Sequence, residues 1–330
     1  MRAVMTKSER VFAALKGADI DQVPVSAWWH DFEREWSAEA LAETTLEQYR
    51  KYDWDFIKVN PRATYYAEDW GATYAQREGR QPDLIEPGVS SPHDLQRIQP
   101  LDVTRGAYGE QLEALRLIAG GLADEAPFIQ TVFSPLAVMS RITGSTKYVQ
   151  KLMADNWNEL LITLEPITET LAAYARECLG AGAAGIFYAT VEWGSADVIS
   201  GDDYDRFCRP FDLQVLQTVA DAPLNVLHVC RAHNHLTSLL DYPVAAFHWD
   251  THAEGNPTLS KAASKTERAV MGGVSHERTI LEGNQKDVQR EAAAAIGEMG
   301  GKRLLLAPGC SIDPQTPEAN LHALVEAARS

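Results

Sequence analysis

The sequence predicts an α/β fold of the (β/α)₈ TIM-barrel class, with a long insertion that covers one mouth of the barrel. Eight short apolar runs of strand length alternate with segments of helical period, which is the pattern of a closed parallel sheet surrounded by helices. The chain of 330 residues is long enough for one such barrel with insertions. It contains no Gly/Ser linker, low-complexity tract or repeat of roughly 20–50 residues, so we expect residues 1–330 to form a single domain.

Each predicted strand is an apolar run that ends at polar or turn-forming residues. These runs lie at 23–28, 54–59, 128–133, 184–189, 224–229, 245–249, 268–271 and 303–306. Helices are predicted from apolar positions three and four residues apart, at 8–16, 38–51, 106–120, 136–180 with a break near Gly144, 203–220 and 317–328. Residues 61–105 combine frequent prolines with little periodicity, so they are predicted to form the excursion over the mouth.

The composition argues against several classes of partner and location. The chain has 30 Lys and Arg against 46 Asp and Glu, a net charge of −16, which opposes binding to nucleic acid or to an anionic membrane surface. The first ten residues lack the apolar core of a secretory signal, and the longest uncharged apolar stretch, 180–191, is too short to span a membrane. We therefore expect a cytoplasmic protein, whose cysteine pairs bind metal more readily than they form disulfides.

Chemically active residues are expected at the carboxyl-terminal mouth, where the active sites of such barrels are built by the residues that follow each strand. A purely structural barrel has no reason to place Cys and His there. The polar residues that follow the predicted strands are His30, Asp31, Asn60, Arg62, Ser134, Glu192, His228, Cys230, Asp250 and Cys310.

Two of these strand ends predict a metal centre. His228 and Cys230 are two residues apart, so their side chains point the same way on a strand, and Cys310 follows a second apolar strand. One imidazole and two thiolates with an open fourth position form the ligand set of a catalytic zinc site. Taken alone, the His-x-Cys pattern is also typical of two buried residues on an apolar strand. Cys310 favours the metal, whereas Cys178 and Cys208 lie on predicted helices and are interpreted as packing residues.

The ligand types indicate the chemistry of this centre. Two cysteinate ligands cancel the charge of zinc, which makes it a poorer Lewis acid for water but leaves a bound thiolate electron-rich. Such a site is better suited to alkylating a thiol than to hydrolysing an ester.

Other mouth residues are candidates with open alternatives. Glu192 could complete the zinc shell in the resting state, hold a substrate amine or be a rim carboxylate, and we place it with Asp250 among the catalytic candidates. Asp250 could accept a hydrogen bond from a ligand imidazole, from substrate or from backbone amides. His30, Asn60 and Arg62 are candidates for substrate binding. So is Trp29, whose ring could stack on a flat or cationic group or pack in the core. His248 is interpreted as a packed or solvent-facing histidine.

The chain resembles the uroporphyrinogen decarboxylase superfamily through motifs along most of its length. These are DQVPV at 21–25, YDWDFIKV at 52–59, EDWG at 68–71, LHVC at 227–230, GGV at 272–274, PGCSI at 308–312 and TPEAN at 316–320. The resemblance implies a (β/α)₈ barrel. Decarboxylases of this superfamily carry an arginine-rich segment after the first strand, which grips the porphyrinogen carboxylates. Here, residues 28–33 contain no arginine.

Within the superfamily, the His-x-Cys and Gly-Cys motifs resemble the zinc-dependent branch of methylcobalamin:coenzyme M methyltransferases. That resemblance implies His228, Cys230 and Cys310 as zinc ligands. It also implies methyl transfer between a corrinoid co-substrate and a small thiol that zinc holds as thiolate. Arg231 stands where that branch often has glycine, so it could pair with an anionic donor or acceptor. No cobalamin-binding sequence is visible, so the corrinoid would belong to a partner protein or arrive free.

Two other functions stay open at this point. The first is a metal-free decarboxylase or lyase that acts on a small carboxylated substrate with Asp31, Glu192 and Arg62. The second is a non-catalytic protein that binds a corrinoid or another small molecule. Barrels of this kind often form homodimers, but the sequence identifies no interface.

Overall fold

A curled parallel sheet wrapped by helices forms the centre of the protein, which the computed structural model describes for residues 4–330. Its seven strands follow the order β1-β4-β5-β6-β7-β8-β9, and β2 and β3 form a separate antiparallel pair. The strands are β1 (Ile57–Val59), β2 (Thr73–Arg77), β3 (Arg80–Glu86), β4 (Phe128–Phe133), β5 (Gly185–Ala189), β6 (Val226–His228), β7 (Ala246–His248), β8 (Ala269–Val274) and β9 (Leu304–Pro308).

Most of the helices lie between successive strands along the chain, while α1 and α2 precede β1 and α13 follows β9. They are α1 (Lys7–Leu15), α2 (Ala38–Tyr52), α3 (Tyr65–Glu68), α4 (Gly106–Leu122), α5 (Pro135–Thr143), α6 (Thr146–Asp155), α7 (Trp157–Gly180), α8 (Gly201–Phe207), α9 (Arg209–Gln217), α10 (Leu259–Ala263), α11 (Thr279–Glu282), α12 (Gln285–Met299) and α13 (Glu318–Arg329). Short 3₁₀ turns occur at Pro92–Arg97, Val191–Gly194 and Leu236–Ser238. No helix within residues 4–330 is both long enough and apolar enough to span a membrane.

The first predicted strand, 23–28, is not a regular strand, because a side chain takes part in its ladder. On one side, Leu306 of β9 donates its N–H to Pro24 O (2.8 Å) and accepts from Ser26 N (3.1 Å), and Val25 forms a single parallel bridge to Leu306. On the other side, Asp55 N donates to Val25 O (2.9 Å), while Val25 N donates to the Asp55 carboxylate (2.9 Å). A carboxylate therefore replaces a backbone carbonyl. Within the described residues, the parallel sheet therefore has seven regular strands where the sequence predicts eight.

Asp55 is itself held by a buried cation. Its side chain is fully buried, and Arg10 of α1 donates to Asp55 Oδ1 at 2.5 Å and to Asp21 at 2.7 Å. This network joins α1, the segment 23–28 and the start of β1. It fixes the part of the chain that carries Trp28 and His30 to the mouth.

The predicted excursion at 61–105 contains more structure than its lack of periodicity indicates. The antiparallel pair β2–β3 lies against the mouth: Tyr74 donates its hydroxyl hydrogen to Arg141 O (2.7 Å), and Gly79 N donates to the Glu33 carboxylate (2.8 Å). The strands are short and half exposed, so their sequence lacks the apolar alternation of a buried strand. The sequence analysis did not predict this hairpin.

Helix boundaries differ from the predictions where local chemistry interrupts the period. The break near Gly144 is confirmed, since this residue ends α5 with φ of 68°, a conformation that favours glycine. The predicted helix 203–220 is divided at Cys208 into α8 and α9, because Pro210 has no N–H for the helical ladder. The long helix α12 was missed by the sequence analysis.

The Asp55 network generates a stability prediction. Replacing Asp55 by Asn places an amide NH₂ against either Val25 N–H or the Arg10 guanidinium, so one buried donor loses its acceptor. We expect Asp55→Asn to lower the free energy of unfolding by about 3 kcal/mol, measured by urea denaturation. The control, Asp53→Asn, removes an exposed ion-pair partner of Lys7 and Arg329 and should cost less than about 1 kcal/mol. Equal effects of the two variants would contradict this role of Asp55.

Candidate metal centre

Two strand ends that are distant in sequence deliver the three predicted metal ligands to one point. β6 ends at His228, whose carbonyl accepts from Thr190 N (3.1 Å), and Cys230 follows two residues later. β9 ends at Pro308, and Gly309 N donates to Val274 O (2.9 Å) before the chain reaches Cys310. A Cβ on Gly309 would lie 2.7 Å from the Asp250 side chain, so only glycine permits this path.

The distances within this group match a tetrahedral zinc site. Cys230 Sγ lies 4.0 Å from Cys310 Sγ, and Cys310 Sγ lies 3.7 Å from His228 Nε2. All three ligand atoms lie within 4.8 Å of one another. Zn–S bonds of about 2.3 Å and Zn–N bonds of about 2.0 Å at tetrahedral angles require separations of roughly 3.8 and 3.6 Å. The donor set therefore fits zinc in both chemistry and size.

A second histidine fixes which nitrogen of His228 is free to bind. His248 Nε2 lies 2.8 Å from Pro308 O, a pure acceptor, so Nε2 carries the hydrogen. Burial lowers the pKa of His248 well below its usual value, with a further contribution from His228, so the ring is neutral and its Nδ1 is an acceptor. His228 Nδ1 lies 2.8 Å from that atom and must donate to it. The lone pair of His228 Nε2 consequently faces Cys310.

The two thiols are electrostatically unequal. A hydrogen bond from Cys230 lowers the pKa of Cys310 well below its usual value. The same contact raises the pKa of Cys230, together with burial. One thiol of the pair therefore ionises readily, which is the first requirement for a cysteine ligand.

The group faces a cavity of about 110 Å³ with mostly apolar walls. Rings of Trp28, Phe133 and Phe187 form much of the lining, which also includes Pro61 and Val191. The residues that bring polar or titratable groups to the cavity are His30, Lys58, Asn60, Tyr66, Thr131, His228, Cys230, Cys310 and Ser311. A small molecule bound here would contact the three predicted ligand residues.

Lys58 is the cavity residue that the sequence analysis missed. It lies in the middle of β1, is 6% exposed, and its Nζ sits 5.0 Å from the Phe187 ring centroid and 5.6 Å from that of Trp28. The available signal was a lysine inside the apolar run 54–59. Lysine is almost never fully buried unless it is paired, so a lysine inside an apolar run marks a position of interest.

The predicted substrate-binding residues divide into two groups. His30 and Asn60 line the cavity, and His30 Nδ1 lies 2.7 Å from the Glu35 carboxylate. Trp29 does not line it, since its ring packs edge-on against Tyr52 with centroids 5.8 Å apart. The neighbouring Trp28 faces the cavity instead.

Arg62 is committed to ion pairs outside the cavity. It is buried, and its guanidinium donates to Glu68 at 2.8 and 2.9 Å, to Glu110 and to Glu35 O (3.2 Å). With these partners it has no donor directed towards the metal group.

The other three predicted site residues lie around the metal group without joining it. The Glu192 carboxylate accepts from Thr146 (3.0 Å) and from Arg141 (3.4 Å). Asp250 accepts from His252 N (2.9 Å) and lies against Gly309. Arg231 is exposed and has φ of 69°, the left-handed conformation that favours glycine. Within residues 4–330, one group of at least three His, Cys, Asp or Glu side chains is compact enough to hold a metal. It consists of the three predicted ligand residues, His228, Cys230 and Cys310.

Comparison with known proteins gives methyltransferase relatives along the whole chain. Methylcobamide:CoM methyltransferase MtbA of Methanosarcina acetivorans is 24% identical, with 98% of each chain covered. Methylcobamide:CoM methyltransferase MtaA of Methanosarcina barkeri is 26% identical, over 98% of this chain and 97% of the relative. A uroporphyrinogen decarboxylase of Prochlorococcus marinus is 26% identical over 75% of this chain and 70% of the relative.

Solved structures and a family model agree with these relatives. A methyltransferase from Methanosarcina mazei superposes with a TM-score of 0.83 at 26% identity and covers 98% of both chains. The model of the family described as uroporphyrinogen decarboxylase (URO-D) matches residues 6–330. The chain therefore belongs to the uroporphyrinogen decarboxylase family, and within that family it is similar over its full length to methyltransferases.

Proposed function

We propose that the protein is a zinc-dependent methyltransferase that moves a methyl group between a corrinoid and a small thiol. The observation that carries the proposal is the convergence of His228, Cys230 and Cys310 at distances that fit tetrahedral zinc. Full-length similarity to methylcobamide:CoM methyltransferases supports the donor and acceptor classes.

The residues around the cavity have separable tasks in this reaction. Zinc held by the three ligands would lower the pKa of a thiol and make it a thiolate at neutral pH. His248 orients His228, while Trp28 and Phe187 keep water from the reacting sulfur. In the transfer, the thiolate sulfur forms a bond to the methyl carbon as the carbon–cobalt bond breaks, and the electron pair of that bond stays on cobalt.

The size and position of the cavity support a small acceptor and a separate donor. A volume of about 110 Å³ is well below the roughly 300–1,000 Å³ of pockets for drug-sized ligands. It suits a thiol of a few heavy atoms, and a corrinoid would have to approach from the mouth, either free or on a partner protein. We place Glu192, Asp250 and Arg231 at the rim that such a donor would meet.

The closed eight-stranded barrel is part of this proposal. We infer that segment 23–28 completes the ring between β9 and β1, since it bonds to Leu306 on one side and to Asp55 on the other. Closure places Trp28 and His30 opposite β6. The decarboxylase alternative receives less support, because Arg62, the cation it requires, is already engaged with Glu68 and Glu110.

Metal content tests the ligand assignment directly. Purified wild-type protein is expected to contain about one equivalent of zinc by inductively coupled plasma analysis, since three protein ligands suffice for a catalytic site. The double variant Cys230→Ser, Cys310→Ser should lose it. Cys208→Ala, which alters a buried cysteine outside the site, should retain it. Less than half an equivalent in wild type, or full retention in the double variant, would contradict the assignment.

His248 should matter for the metal although it is not a ligand. His248→Phe removes the acceptor that holds His228 Nδ1–H, so His228 can adopt the wrong tautomer or ring orientation. We expect zinc affinity to fall about 10–100-fold, measured by competition with a chromogenic chelator. The control is His322→Phe, on the exposed side of α13, which should leave affinity unchanged. Unchanged zinc affinity in His248→Phe would contradict the role of His248 in orienting His228.

Turnover tests the reaction itself. With methylcobalamin and a panel of small thiols, the zinc-loaded protein is expected to form the methyl thioether and reduced corrinoid, followed by the corrinoid spectrum. Cys310→Ser should reduce the rate by more than about 100-fold, because loss of a direct ligand exceeds the effect of losing a ligand's hydrogen-bond partner. Turnover that survives both a chelator and this substitution would instead support a metal-free reaction.

A further inference from the structure

Lys58 is a buried cation that the proposed reaction does not yet use. It faces the same cavity as the three ligand residues, and its Nζ donates to Asn60 Oδ1. Among the described residues, no carboxylate forms an ion pair with it. Burial of an unpaired ammonium is costly, so such a lysine is either neutral or has a role that requires its charge.

A small polar chamber adjoins Lys58, which is one of its lining residues. Its volume is about 20 Å³, room for one water molecule at roughly 10–15 Å³ each. Four buried polar atoms of its lining have no hydrogen-bond partner in the described structure: Ser26 Oγ, Glu35 Oε1, Trp54 Nε1 and Asn60 Nδ2. Unpartnered buried groups that converge on one space mark a hydrated site.

We propose that Lys58 accepts the proton that the substrate thiol loses on binding, and that the polar chamber beside it solvates the ammonium that forms. This inference rests on the proposed function and adds the fate of the thiol proton. The uncharged amine takes the S–H proton through its lone pair, which leaves a thiolate at the metal group and an ammonium on Lys58. No electrons are transferred, and after methyl transfer the ammonium returns the proton to solvent.

The charges around Lys58 are consistent with this role. Burial lowers the pKa of Lys58 to about 7, which keeps about half of the side chain available as a base near neutral pH. A new thiolate in the cavity would raise that pKa again and hold the proton on the amine. The titratable groups around Lys58 share its two cavities or interact with it electrostatically. They are Cys310 after β9, Cys230 and His228 at the end of β6, His248 on β7, Tyr66 on α3, and His30, Asp31 and Glu35 before α2.

Proton release on thiol binding tests the inference. Zinc-loaded protein would be titrated calorimetrically with 2-mercaptoethanol and with coenzyme M, in buffers of different ionisation enthalpy. In wild type, net proton release per thiol should be smaller at pH 8 than at pH 6, because the neutral amine captures the proton at the higher pH. In Lys58→Met, release should be about one proton at both pH values.

Two further variants separate proton acceptance from charge and from fold. Lys58→Arg keeps a cation that cannot lose its proton, so it should also release about one proton at both pH values. Lys151→Met, on the exposed face of α6, should behave as wild type. Equal proton release by wild type and Lys58→Met at pH 8 would overturn the inference while leaving the methyltransferase proposal intact.

The solvating role of the chamber is tested by the pH at which proton release on thiol binding changes. Asn60→Leu keeps the approximate volume but removes the amide that accepts from Nζ, so the ammonium is less solvated. The midpoint of the release curve should then move to lower pH by about one unit. An unmoved midpoint would overturn the solvating role. Absence of binding of either thiol by wild type would overturn the proposed function and this inference with it.

Discussion

The parallel backbone ladder is the constraint on which the site depends. Hydrogen bonds between neighbouring strands of the parallel sheet place the carboxyl ends of β1 and β4 to β9 at one edge, so residues far apart in sequence become neighbours. His228 and Cys310 are brought to 3.7 Å in this way. The register of the strands also sets the geometry of the site. His228 pairs with His248 on β7, and that pairing sets the orientation of the His228 imidazole.

Around that rim, several titratable side chains lie close together in a mostly apolar cavity. Two thiols, two histidines and Lys58 line a cavity of about 110 Å³ together with aromatic rings. A cavity of this kind strengthens every electrostatic interaction inside it, so the state of each proton matters. The neutral His248 directs the lone pair of His228 Nε2. The unpaired Lys58 provides, in our proposal, a group that accepts the proton of the substrate thiol.

Much of the fold, and the grouping of the three residues at the candidate site, could be predicted from the sequence for physical reasons. Buried parallel strands leave continuous apolar runs, and the ends of those runs located His228, Cys230 and Cys310. The hairpin β2–β3 was not predicted because its side chains are half exposed and lack the alternation of apolar and polar residues typical of a strand. Lys58, the His248 link and the engagement of Arg62 depend on contacts between distant segments, which periodicity does not encode.

The unusual ladder at Val25 has a consequence for how the chain is made. β9 carries both Leu306, which bonds to the segment at Val25, and the turn that leads to Cys310. A nascent chain on the ribosome can assemble its middle strands early, but its ends meet only after β9 has emerged. The backbone bonds to Leu306 and the third sulfur of the group therefore become available only after β9 has been synthesised, so the proposed metal ion could be bound by all three predicted ligands only from that point.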